Sequence, residues 1–276
     1  MSSAINIHDV LLCGLILCGL VTLIRGHGRL VEPPSRSSMW RFGFKTPVNY
    51  NDNQLYCGGY DVQWKQNGGR CGVCGDPFNG VRENEAGGRY ATGTIARHYS
   101  EGQTITVTID VTTNHGGYFE FRICPTNNLR NPATEACLNQ NLLRQPNGQT
   151  KWYLPEGTRT FSLNLVLPRS LTCSQCVLQW KWNTASNWDC DVNNNCCKGC
   201  GPQEQFLGCA DVAIGSNNDI QTQVNAISAQ RLPLGSIQPD VKPSNNVLSN
   251  TGPNGFIPVN AASLFPPHPT LVVDLT

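Results

Sequence analysis

The chain has 276 residues, a formal net charge of +1 and only 14% charged residues. That length holds one or two domains at roughly 100–200 residues each. The near-neutral charge excludes the basic footprint of a nucleic-acid-binding protein, and 39% hydrophobic residues exclude disorder throughout. Fourteen cysteines leave two classes open, a secreted disulfide-bonded chain or a multi-metal protein.

The first element is an apolar run of 15 residues, Val10 to Ile24. A transmembrane helix needs about 20, so the run reads as the apolar part of a secretory signal. Its leading flank is atypical, carrying Asp9 and no Lys or Arg. Cleavage after Gly26 makes residues 1–26 a signal peptide and the protein extracellular, with no membrane partner. Cys13 and Cys18 leave with the signal. Twelve cysteines remain, an even number that fits a paired framework without fixing its connectivity. There is no Asn-x-Ser/Thr sequon, so no N-glycosylation is expected.

Residues 27–100 are rich in Gly, Asn and Pro with little periodicity. Tyr56 to Gly75 reads as a long loop held by Cys57, Cys71 and Cys74. From Thr104 the pattern changes. Ile105, Val107, Ile109 and Val111 alternate with polar residues, as do Phe119, Phe121 and Ile123. Phe161, Leu163, Leu165 and Leu167 follow, then Leu178, Trp180 and Trp182, then the short run Ala210 to Ile214. Period-two alternation predicts half-buried strands and assigns Trp180 and Trp182 to the core. No helical period accompanies them. The expected fold is all-β, an antiparallel immunoglobulin/fibronectin-III-like β-sandwich with long disulfide-stapled loops, over residues 27–220. Beyond it, residues 221–276 hold eight of the 18 prolines and no cysteine, and read as a flexible Pro/Asn/Ser-rich tail.

Two Cys-x-x-Cys pairs, Cys71/Cys74 and Cys173/Cys176, invite a zinc-ribbon reading. Ribbon pairs lie ~15–20 residues apart, whereas these are about a hundred apart, so disulfides fit a secreted chain better. Cys196 and Cys197 are adjacent and need different partners. With Cys190 and Cys200 they form a knotted loop.

Five histidines bound the search for a metal site. His8 leaves with the signal, His268 lies in the tail, and His98 reads as a surface loop residue. If cleavage falls after Gly26, His27 becomes the first residue. It then offers an α-amine and an imidazole from one position, a nitrogen pair that suits Cu(II). If cleavage falls elsewhere, His27 is an ordinary loop residue. His115 sits in the turn Thr113-Asn114-His115-Gly116-Gly117 between two strands, as a ligand on a rigid scaffold or as a plain polar turn residue.

Motifs in order carry a resemblance. The start His27-Gly28-Arg29-Leu30 with Glu32-Pro33-Pro34-Ser35-Arg36 resembles that of lytic polysaccharide monooxygenases. Met39 to Phe44, Pro47 to Asp52, Cys57-Gly58-Gly59, Gln66 to Gly69 and Cys71 to Asp76 resemble auxiliary-activity family fifteen, the arthropod-centred branch. So do Asn114-His115 with Tyr118 to Arg122, Cys176 to Trp180, and Cys209 to Val212. The likeness runs from His27 to about Ile214 and omits the tail.

The resemblance implies one copper ion held by His27 and His115 in a histidine brace, with Phe206 at the axial position. It implies an external reductant with hydrogen peroxide or dioxygen as co-substrate. The expected reaction is oxidative cleavage of crystalline chitin or cellulose at C1 by a monomer. Tyr50 and Asp52 resemble residues beside the copper that meet the substrate, although partial core packing of Tyr50 stays open. If the segment around Phe206 is extended, Glu204 shares its face and would hydrogen-bond the oxygen co-substrate. The alternative for Glu204 is a surface pair with an arginine. One departure is Thr113, where related enzymes commonly have alanine two residues before the second histidine. It puts the rate of reaction in question. Two other classes stay open, a non-catalytic chitin- or cuticle-binding module of the same fold and a disulfide-rich structural protein without metal.

Overall fold

The computed structural model describes residues 27–215; the signal and tail expected at either end lie outside the described residues. Ten strands follow in chain order: β1 (His27–Glu32), β2 (Arg97–Ser100), β3 (Thr104–Thr113), β4 (Tyr118–Pro125), β5 (Trp152–Tyr153), β6 (Arg159–Val166), β7 (Cys173–Asn183), β8 (Trp188–Cys190), β9 (Cys196–Lys198) and β10 (Gln205–Gly215). One sheet has the order β1-β3-β6 and the other β2-β10-β7-β4-β5, while β8 and β9 form a separate hairpin. The sandwich is antiparallel except at one edge, where β2 runs parallel to β10. His98, expected in a loop, lies exposed on β2.

The two inner faces meet in one core. Ile105, Val107, Ile109 and Val111 of β3 face Phe119, Phe121 and Ile123 of β4, with Trp180 and Trp182 of β7 and Phe206 of β10 among them. Alternation is clean on β3 and β6 because their outer faces meet water. It fails on β7, which is buried on both faces from Gln175 to Trp180. There the loop around Val73 and Cys74 and a short helix, α1 (Glu135–Gln140), cover the outer side in a second apolar cluster. Sequence periodicity did not reveal α1, which has six residues and is capped by Thr134 accepting from the Cys137 N–H at 3.2 Å. Among the described residues no helix is long and apolar enough to cross a membrane.

All twelve cysteines of the described region are paired: Cys57–Cys71, Cys74–Cys209, Cys124–Cys137, Cys173–Cys176, Cys190–Cys196 and Cys197–Cys200. The expected knot is in fact a hairpin, β8–β9, with two local disulfides. Cys74–Cys209 ties the long loop to β10, the strand that carries Phe206. A buried ion pair reinforces that strand. Arg36 Nη2 donates to Asp211 Oδ1 at 2.6 Å and Arg36 Nε to Oδ2 at 2.7 Å.

Candidate metal centre

The register of β1 against β3 pairs His27 with Thr113, two residues ahead of His115. The first residue of β1 and the turn after β3 thus share one end of the small sheet. The His115 turn is locked to the core beneath it. The buried Trp182 indole donates to the Gly116 carbonyl at 2.7 Å. Asn114 donates to the carbonyls of Pro155 and Gly157 at 2.8 and 2.6 Å. Gly117 has φ of +85°, and a Cβ there would meet the Asn183 carbonyl oxygen at 2.0 Å, so only glycine lets the turn lie this close to β7.

Each histidine ring has a side-chain partner on one nitrogen. The Gln54 amide bonds His27 Nε2. Ser186 Oγ lies 3.0 Å from His115 Nδ1, with Glu204 Oε2 at 3.8 Å from the same nitrogen. The Gln54 amide nitrogen can only donate, so His27 Nε2 accepts there, and the ring and main-chain nitrogen of His27 could chelate a metal from one residue. Held at Nδ1, His115 could meet a metal through Nε2. Among the described residues no three His, Cys, Asp or Glu side chains converge as a cage. A two-histidine site could take a third donor from an amine, were the chain cleaved after Gly26. This donor chemistry, two imidazoles and an amine, fits copper.

Phe206 lies at 1% exposure, its ring 5.1 Å from Trp182 and stacked on Tyr56 at 5.8 Å. Glu204 immediately precedes β10 rather than lying on it. Its carbonyl accepts from the Thr184 N–H at 3.2 Å, which holds it beside the segment that supports His115.

The structure separates the two expected substrate residues. Tyr50 is 79% exposed and edge-on to Trp40 at 5.4 Å. Asp52 differs, its carboxylate being 0% exposed. Arg29 and Arg41 cover it at 2.8 and 2.5 Å. The Arg41 guanidinium also lies 4.3 Å over the Trp40 ring. Asp52 therefore anchors a stack, Arg41 on Trp40 and Trp40 against Tyr50, from inside the loop.

Sequence reasoning missed three residues. Gln54 and Ser186 are invisible locally because their partners are 27 and 71 positions away. Trp188, 73% exposed at the start of the hairpin, had a usable signal: a lone tryptophan in a run of Asn, Asp and Cys. Trp40 and Trp64, not placed from sequence, donate to the carbonyls of Asn49 and Gln203. An open groove of about 620 Å³ runs beside His115, lined by Asn114, Pro155, Glu156, Ser186 and Lys198.

Two histidines lie at one end of the β-sandwich, with exposed Tyr50 and Trp188 near their side-chain partners in sequence. The family model described as lytic polysaccharide mono-oxygenase, cellulose-degrading, matches residues 27–212. A lytic polysaccharide monooxygenase AA15 from Thermobia domestica, in the Cu(I) state, is 44% identical over 69% of this chain and 99% of its own, with a TM-score of 0.66. The chain belongs to this family and is a copper-dependent polysaccharide monooxygenase of the AA15 type. The alternative of a non-catalytic binding module gives way to an enzyme. The cellulose-active CelS2 in complex with copper is more distant, at 17% identity over 69% of this chain and 100% of its own, TM-score 0.44. An LPMO10B from Micromonospora aurantiaca stands at 17% identity, 68% and 100% coverage, and TM-score 0.36. No match is found among curated protein sequences.

Proposed function

We propose that the chain is secreted, loses residues 1–26, and acts as a monomeric domain of residues 27–220. The domain oxidises crystalline chitin or cellulose at C1. His27, through its amine and Nδ1, and His115, through Nε2, would hold the metal. The observation that carries this reading is the register that sets His27 opposite Thr113, two residues ahead of His115, at one end of the small sheet.

Bound there, copper supplies one-electron redox chemistry, with an external reductant and hydrogen peroxide or dioxygen as co-substrates. The chain supplies the rest. Phe206, an apolar ring packed on Tyr56 and Trp182, has no donor atom to offer and would keep water from its side of the metal. Glu204 offers a carboxylate next to His115 to hydrogen-bond the oxygen co-substrate. Tyr50 and Trp188 give the polymer flat apolar faces with polar tips. Each lies within four residues of a histidine's partner, Tyr50 of Gln54 and Trp188 of Ser186. Thr113, opposite His27, narrows the approach for the co-substrate.

Product mass spectrometry on α-chitin, β-chitin and cellulose, with ascorbate and peroxide, tests the proposal. Aldonic-acid oligosaccharides from at least one polymer are the expected outcome. Products oxidised only at C4 would contradict the C1 assignment, and no oxidised product on any of the three would contradict the substrate class.

A further inference from the structure

Around the second histidine, hydrogen-bond direction can be followed outward from a group that only accepts. The Glu204 carbonyl has no proton to give, so the Thr184 hydroxyl donates to it at 3.0 Å. The Thr184 oxygen then has only lone pairs left, and the Ser186 hydroxyl donates to it at 3.4 Å. That commits the one Ser186 proton. With that proton turned to Thr184, Ser186 Oγ would accept at its 3.0 Å contact with His115 Nδ1, which puts the hydrogen on Nδ1.

We propose that Thr184 and Ser186 are positioning residues: a directed relay, anchored on the Glu204 carbonyl, sets His115 in the Nδ1–H tautomer and turns the Nε2 lone pair toward the metal. The proposal rests on the reading that His115 ligates copper. Neutral imidazole in water prefers the opposite tautomer, so the protein must impose this one. Glu204 Oε2, at 3.8 Å from Nδ1, places negative charge on the same side and favours a hydrogen there. The main chain holds the relay in place. Thr184 N–H donates to the Glu204 carbonyl at 3.2 Å and Ala185 N–H to the His115 carbonyl at 2.9 Å. One three-residue segment after β7 thus grips both the histidine and the anchor. Partners of this kind orient metal-bound histidines, and their loss typically costs about 10–100-fold in metal affinity.

The test uses the mature protein, copper-free and labelled with ¹⁵N in its imidazoles, at about pH 8, above the ordinary imidazole range. Long-range ¹H–¹⁵N correlation spectra read each tautomer directly. The wild type is expected to show His115 as Nδ1–H. Ser186→Ala should move it toward Nε2–H, Thr184→Val should move it partway, and Ser186→Thr should retain it. Cu(II) affinity should fall about 10–100-fold in Ser186→Ala and recover in Ser186→Thr. An Nε2–H tautomer in the wild type, or no change in Ser186→Ala, would overturn the proposal. Should Ser186→Ala fail to fold, the wild-type tautomer and Ser186→Thr still decide. A His115→Ala variant that binds copper as tightly as wild type would defeat the metal reading instead, and the copper-free tautomer distinguishes the two failures.

Discussion

Replacing Asp52 with alanine removes the anion on which the Tyr50 loop is anchored. Its carboxylate, fully shielded, accepts from Arg29 Nη1 at 2.8 Å and from Arg41 Nε and Nη2 at 2.5 and 3.1 Å. Removing one partner of a buried pair costs about 3–5 kcal/mol. Two features lower that figure here. Arg29 keeps Asp110 at 2.8 Å, and Arg41, 31% exposed, can be rehydrated. The expected loss is about 2–3 kcal/mol, of the order of one or two charge-assisted hydrogen bonds. For a domain of this size that lowers the melting midpoint by about 4–12 °C. Circular dichroism on the mature, copper-free Asp52→Ala protein measures it. Adsorption to crystalline chitin and cellulose should weaken as well, because Arg41, Trp40 and Tyr50 lose a common support. A midpoint within about 1 °C of wild type would refute the burial argument, and a lowered midpoint with unchanged adsorption would refute the link to Tyr50.

Tyr50→Ala should leave the melting midpoint unchanged, as an exposed substitution within about 0.5 kcal/mol, yet reduce polymer adsorption by about 1–2 kcal/mol of binding free energy, read from adsorption isotherms. Loading the apo-protein with copper at about 100 times its dissociation constant should stabilise it by about 2.7 kcal/mol, seen as a raised midpoint that a chelator reverses. Asp211→Ala strips the buried Arg36 of its partner and should cost about 3–5 kcal/mol, measured by thermal unfolding, with the copper site's EPR spectrum unchanged in the protein that stays folded. Thr113→Ala should raise the initial rate of product formation without changing copper affinity.

Strands β3 and β6 were legible because each buries one face and wets the other, and β4 because polar Glu120 and Arg122 alternate with its buried Phe119, Phe121 and Ile123. Strand β7 was legible only over its Leu-Gln-Trp-Lys-Trp stretch, since Val177 and Gln179 pack outward under the long loop. Edge strand β2, Arg-His-Tyr-Ser, has no apolar face to show. Motifs singled out His27, His115 and Phe206, of which the structure sets His27 at the start of β1, His115 in the turn after β3 and Phe206 in the core. What motifs did not carry was tertiary. Asp52 looked like a surface acid until Arg29 and Arg41, 23 and 11 positions away, closed over it. Disulfide pairing was likewise open, because Cys74 meets Cys209 across 135 positions while Cys173 meets Cys176 across three.

The central claim is that one metal ion is held by the amine and ring of His27 together with the ring of His115. Electron paramagnetic resonance of the Cu(II) protein, comparing the chain that starts at His27 with one bearing a single extra glycine before it, tests this directly. An axial, nitrogen-rich spectrum is expected from the first and its loss from the second, whose amine no longer belongs to the histidine. Identical spectra from the two chains would contradict it.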